Sequence, residues 1–140
     1  MAKLFSIPLL ILILFKINIC AQKSFYDTKN KKAIKYYENA LNCFNTIDVY
    51  SAKGDLLGAE SFVNKALSKD SMFGQAYSLA SKISIEKGDI YKAILYKQKM
   101  IEVSSIVPLI EYFFLAGMQI SIGDYHSCLK NAKKYKTSPL

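Results

Sequence analysis

Apolar residues recur along this chain at spacings of three and four rather than two. After Asp55, the residues Leu56, Ala59, Val63, Ala66 and Leu67 fall on one helical face. Before Gly88, Phe73, Ala76, Tyr77, Ala80 and Ile83 do the same. The pattern continues through Ile90, Ala93, Ile94 and Ile101, then Leu109, Tyr112, Phe113, Leu115 and Ala116, then Tyr125, Cys128, Leu129, Ala132 and Tyr135. No segment alternates with period two for long enough to be a strand. An all-α fold is expected, with these faces turned inward. Lys69-Asp70-Ser71 and Ser104-Ser105 offer N-cap side chains between helices, and Pro108 suits a first helical turn, where its missing N–H costs little.

The dipeptide Gly-Asp occurs at Gly54-Asp55, Gly88-Asp89 and Gly123-Asp124, at spacings of 34 and 35. Each copy is followed by an apolar residue (Leu56, Ile90, Tyr125), and three positions later by a small one (Ala59, Ala93, Cys128). Tyr77 and Tyr112 repeat with the same period upstream. A helix often ends on a left-handed residue, a conformation that glycine adopts without a Cβ penalty. The next helix starts best on a side-chain oxygen that accepts from its free N–H groups, and aspartate adds a favourable charge. One dipeptide therefore stops a helix and starts its neighbour, predicting three tight helical hairpins with antiparallel arms. Ahead of the first corner, Lys31 to Leu41 reads as helical, and one long helix from about residue 29 to 52 is expected to precede the array, with a possible kink near residues 45–48.

The first residues differ from the rest. Lys3 gives a positive start, Leu4 to Phe15 carry no charge, and the stretch closes on Ala21. An apolar run this short does not match the roughly 20 residues of a membrane-spanning helix. It matches a secretory signal peptide over residues 1–21, cleaved after Ala21 to leave a helical repeat domain at 22–140. The alternative is an uncleaved N-terminal anchor. Cys20 follows the large Ile19, which suits a lipoprotein cysteine poorly. Cys43 and Cys128 remain in the mature chain and are expected to be small buried thiols.

These residues resemble the tetratricopeptide repeat, a helical hairpin of 34 residues. Tyr77 and Tyr112 match its early aromatic, Ala80-Ser81 and Leu115-Ala116 approximate its large-small pair, and Ala59, Ala93 and Cys128 match its first small site. Its second small site is matched by Ala66 only, Met100 and Tyr135 standing there in the other units. Ser71 and Ser105 replace the closing proline. The resemblance spans residues 31–136 and implies an α-solenoid of about three hairpins. A leader ending Ala-Gln, the phrase Lys-Lys-Ala-Ile-Lys-Tyr-Tyr-Glu-Asn-Ala and three such units are also similar to the N-terminal region of Bacteroidetes envelope proteins that continue into PD40 and OmpA-like domains. That likeness implies an envelope location and a role in an outer-membrane or secretion-associated assembly. By resemblance, first helices line a concave peptide groove at Gln75, Ser78, Lys82 and Ile85, and at Ile110, Phe113, Gly117 and Ile120. Phe113 is the expected aromatic anchor and Lys82 the partner of an acidic group. The alternative is that Phe113 and Ile120 are covered by a terminal helix or by a missing following domain.

All 19 basic residues are lysine against 11 acids, a formal charge of +8. Lys29, Lys31, Lys32 and Lys35 cluster at the front, and Lys130, Lys133, Lys134 and Lys136 at the back. Such blocks suit either solvated helix ends or a basic peripheral adaptor at an anionic membrane. Without arginine, bidentate reading of bases is disfavoured, and no nucleic-acid partner is expected. The lone His126 has no carboxylate nearby except Asp124, and it stands two residues from Cys128, so the two point to different sides of a helix. There is no Gly-rich phosphate loop and no HExxH. The expectation is a non-enzymatic protein-binding scaffold with no cofactor, no metal and an unknown oligomeric state.

Overall fold

The computed structural model describes residues 26–46 and 55–136. Among these residues six helices follow one another: α1 (Lys31–Asn45), α2 (Leu56–Lys69), α3 (Gly74–Glu86), α4 (Ile90–Val103), α5 (Leu109–Ser121) and α6 (Tyr125–Lys136). No strand occurs among the described residues. Neighbours pack as hairpins α1–α2, α3–α4 and α5–α6, and the hairpins stack through α2 on α3 and α4 on α5, with α1 also reaching α3. The architecture is the expected all-α, solenoid-like one.

The Gly-Asp corners explain the hairpins. Gly88 and Gly123 stand at φ 78° and 77°, the left-handed region. The Gly88 amide bonds to the Ile85 carbonyl at 2.8 Å and the Asp89 amide to Ser84 at 2.9 Å; Gly123 to Ile120 at 3.0 Å and Asp124 to Gln119 at 2.8 Å repeat that pairing. This is the Schellman pattern, which satisfies the last carbonyls of the outgoing helix. The aspartates then open the next helix. Asp55 Oδ1 accepts from the Gly58 amide at 2.8 Å, Asp89 Oδ1 from Lys92 at 3.0 Å and Asp124 Oδ1 from Ser127 at 3.0 Å. The Ser127 hydroxyl and amide hold the Asp124 carboxyl below its ordinary value. Gly54 lies outside the described residues.

The core runs through the first two hairpins. Ala33, Ala40, Ala59, Val63, Ala66, Phe73, Ala76, Leu79, Ala80 and Ile83 are all buried in one cluster. Alanine dominates because helix axes can approach closely where side chains are small, and close approach multiplies dispersion contacts. Phe73 fills the space left between helices, with Tyr37 at 5.0 Å and Tyr26 at 6.2 Å between ring centroids.

Several sequence expectations change. α1 begins on Asn30, whose side chain accepts from Lys32 and Ala33, and it stops at Asn45, where Thr46 takes up a ψ of 76°. It forms the first arm of a hairpin, and the rest of the expected extension to residue 52 lies outside the described residues. Asp70 and Ser104 are C-caps of α2 and α4, not N-caps. The Asp70 side chain is taken by the Met72 amide and the Thr28 hydroxyl. Pro108 sits one position ahead of α5 as its N-cap. Cys43 and Cys128 are free thiols and half-buried rather than buried.

The start of α3 is capped from a distance. Phe73 has no capping side chain, and the Asp27 carboxylate takes the Gly74 and Gln75 amides instead. Burial pushes that carboxyl above its ordinary value, outweighing the amide bonds that lower it. A Cβ on Gly74 would stand 2.7 Å from Asp27 Oδ2 and closer still to the Ser104 hydroxyl. Three segments converge there, and any larger residue would have to push the Asp27 and Ser104 side chains aside. Asn30 Nδ2 donates to the Lys69 carbonyl at 2.8 Å, so residues 26–30 clasp the α2–α3 turn.

Candidate interaction surface

α5 is an apolar helix with one thin buried edge. Leu115 and Gln119 are buried, while Ile110, Phe113, Gly117 and Ile120 are exposed. Positions 110, 113, 117 and 120 follow helical spacing, so they form one stripe. Phe113 is 63% exposed. A Cβ on Gly117 would meet nothing within 4 Å, leaving a gap in the stripe beside Phe113.

The corresponding residues of α3 differ. Lys82 and Ile85 are exposed, while Ser78 and Gln75 are half-buried. Gln75 Oε1 accepts from the Asp27 amide at 3.2 Å. That bond engages Gln75 in the N-terminal clasp. The eight residues thus divide into an exposed apolar set on α5 and a more polar set on α3.

The joint between the second and third hairpins contains a charged pair. Lys97 Nζ lies 2.5 Å from Glu111 Oε2, with 5% of the lysine and 22% of the glutamate side chain exposed. The same nitrogen sits 5.9 Å from the centre of the Phe114 ring. At the preceding joint, the repeat-equivalent residues are Val63 and Ala76, both buried and apolar. Sequence reading missed Lys97 as a buried residue and left Met100, which occupies the second small site of its unit, out of the apolar face. Their signal was spacing: Ala93, Lys97 and Met100 continue one face at intervals of four and three.

Below this pair, α4, α5 and α6 diverge around a cleft of about 510 Å³ lined in part by Gln98, Ile101, Tyr112, Leu115, Lys130 and Asn131. Asn131 Nδ2 donates to Gln119 Oε1 at 3.2 Å. Gln119 Nε2, fully buried, has no partner among the described residues. Burying an unpaired amide group destabilises a helix packing site by about 1–3 kcal/mol.

The expected inward face of the last hairpin is partly corrected. Leu109, Tyr125, Leu129 and Ala132 are exposed, because no further element packs against them among the described residues. His126 is exposed at the start of α6. No cluster of His, Cys, Asp and Glu able to hold a metal occurs among the described residues. No helix among them is long and apolar enough to cross a membrane. No protein-family model, no curated protein and no solved structure matches this chain.

Proposed function

We propose that this chain is an exported helical-repeat module of the tetratricopeptide type that scaffolds protein–protein interaction in the cell envelope, in an outer-membrane or secretion-associated assembly. The observation that carries this reading is the exposed stripe of Ile110, Phe113, Gly117 and Ile120 on α5. An aromatic beside a gap, flanked by branched apolar residues, suits a peptide side chain better than water. Lys82 supplies a cation on α3 for an acidic group of the same peptide.

A second reading, a basic peripheral adaptor at an anionic membrane, is favoured by the front lysines. Lys29, Lys31, Lys32 and Lys35 are exposed, and none forms an ion pair among the described residues.

Affinity capture from an envelope extract tests the scaffold. Phe113→Ala is expected to lose the captured partner and Lys82→Ala to weaken it in a salt-dependent way. If both variants retain every partner, the groove assignment is wrong.

A further inference from the structure

Counting from each corner glycine aligns the three units. Six residues on stand Glu60, Ile94 and Leu129; nine residues on stand Val63, Lys97 and Ala132. In the first two units these positions meet the next hairpin. Glu60 binds Lys87, and Lys92 at 2.6 Å, both at the following corner. Ile94 is 7% exposed and shares a cleft with Ile122, Gly123 and Asp124 of the next corner. Val63 belongs to the shared core, and Lys97 pairs with Glu111 of the next first helix. In the third unit Leu129 is 63% exposed, with Ala132 and Tyr125 exposed beside it. The edge of α6 is therefore a repeat-to-repeat interface, continuous in register with two that are filled.

Charge selects the occupant. The sequence of α6 holds four lysines and no acid; by helical spacing Lys133 and Lys136 fall on the side of Leu129 and Ala132, while Lys130 lines the cleft toward α4 and α5. A second copy meeting this edge with its own would bring two lysine-rich helices together, which repel. The chain itself displays the complementary element: α5, which packs on α4, buries Leu115 and Gln119 and carries a glutamate, Glu111, in its first turn.

We infer that the edge of α6 formed by Tyr125, Leu129 and Ala132 receives an acidic amphipathic α-helix of another protein, packed on α6 as α5 packs on α4. This edge borders the α5 stripe, Phe113 and Ala132 lining one small pocket; Leu129→Glu probes the edge and Phe113→Ala the stripe.

The test uses fluorescently labelled peptides of about 20 residues, with leucine at helical three-four spacing and either glutamate or lysine elsewhere. Anisotropy titration with the full chain is expected to show binding of the glutamate peptide, weakened by salt, and little binding of the lysine peptide. Leu129→Glu is expected to weaken the glutamate peptide about tenfold or more. Leu57→Glu, at a still more exposed leucine of α2, is expected to leave it unchanged. Equal affinity of the two peptides, or indifference to Leu129→Glu, overturns the inference. So does a dimer by light scattering that Leu129→Glu dissociates, since a second copy then covers the edge.

Discussion

Hairpins α1–α2 and α3–α4 bury seven of their helical residues in α3 alone, among them Ala76, Leu79, Ala80 and Ile83. The helix of the last hairpin that corresponds to α3 is α5, which buries Leu115 and Gln119. Yet the two regions turn their corners with the same left-handed glycine, the same carbonyl pairing and the same aspartate cap. The difference lies in side-chain size and polarity at equivalent positions. Leu115 stands where α3 has Ala80, Glu111 where it has Ala76, and Gln119 where it has Ser84. Small residues let two helices meet; larger and charged ones hold them apart around a cleft. A shared turn therefore sets the hairpin, and packing volume decides how tightly it docks.

The sharpest break of this comparison is a pair of aromatic truncations. Phe73→Ala, at a fully buried ring, is expected to lower stability by about 3–5 kcal/mol. Phe113→Ala, at an exposed one, is expected to stay within about 0.5 kcal/mol of the wild type. Urea unfolding of both measures this, and a similar loss in the two variants ends the distinction between regions.

The joint comes next in size. Lys97→Ala leaves Glu111 without its cation at a partly solvated site, and an expected loss of about 2 kcal/mol follows. Hydrogen exchange is expected to rise most in α5 and α6. Replacing both partners, Lys97→Met with Glu111→Leu, is expected to recover most of that loss, because the preceding joint already works with an apolar pair.

The smallest effect is electrostatic. The side chains of Lys87 and Lys92 hydrogen-bond Glu60 and hold its carboxyl below the ordinary 4.5. A lowered carboxylate pKa means that the stabilisation is present above the unfolded value and fades as pH falls through the folded one. Asp27 runs the other way: its carboxyl is raised above 3.8, so its contribution favours the fold increasingly as pH drops. Glu60→Gln is expected to flatten the acid limb of the stability curve by under about 1 kcal/mol, since both lysine partners are about a third exposed and solvent screens them. An unchanged limb in thermal melts between pH 3 and 7 (~4 units about the carboxylate range) refutes that assignment.

Much of the fold was legible before any coordinates. The inward residues of α2 and α3 were readable from spacing, and the buried serines of α3 show why other positions were not. Ser81 Oγ donates to the Ala93 carbonyl at 2.9 Å and Ser84 Oγ to Ala80 at 2.9 Å. Their hydroxyls are satisfied by backbone that sequence periodicity does not specify. The capping of α3 by Asp27 was equally hidden, because the donor and acceptor lie far apart along the chain.

The sequence by itself determined the helices and, at Gly88-Asp89 and Gly123-Asp124, their corners. Those depend on backbone preferences and hydrogen bonds that span a few adjacent residues. Tertiary structure decided which apolar faces found a neighbour. Ile94 and Leu129 occupy the same repeat position and are nearly the same size; one is covered by the next hairpin and the other faces solvent. Burial is a property of what stands opposite a residue, and that is fixed by how hairpins stack, not by the pattern within any one of them.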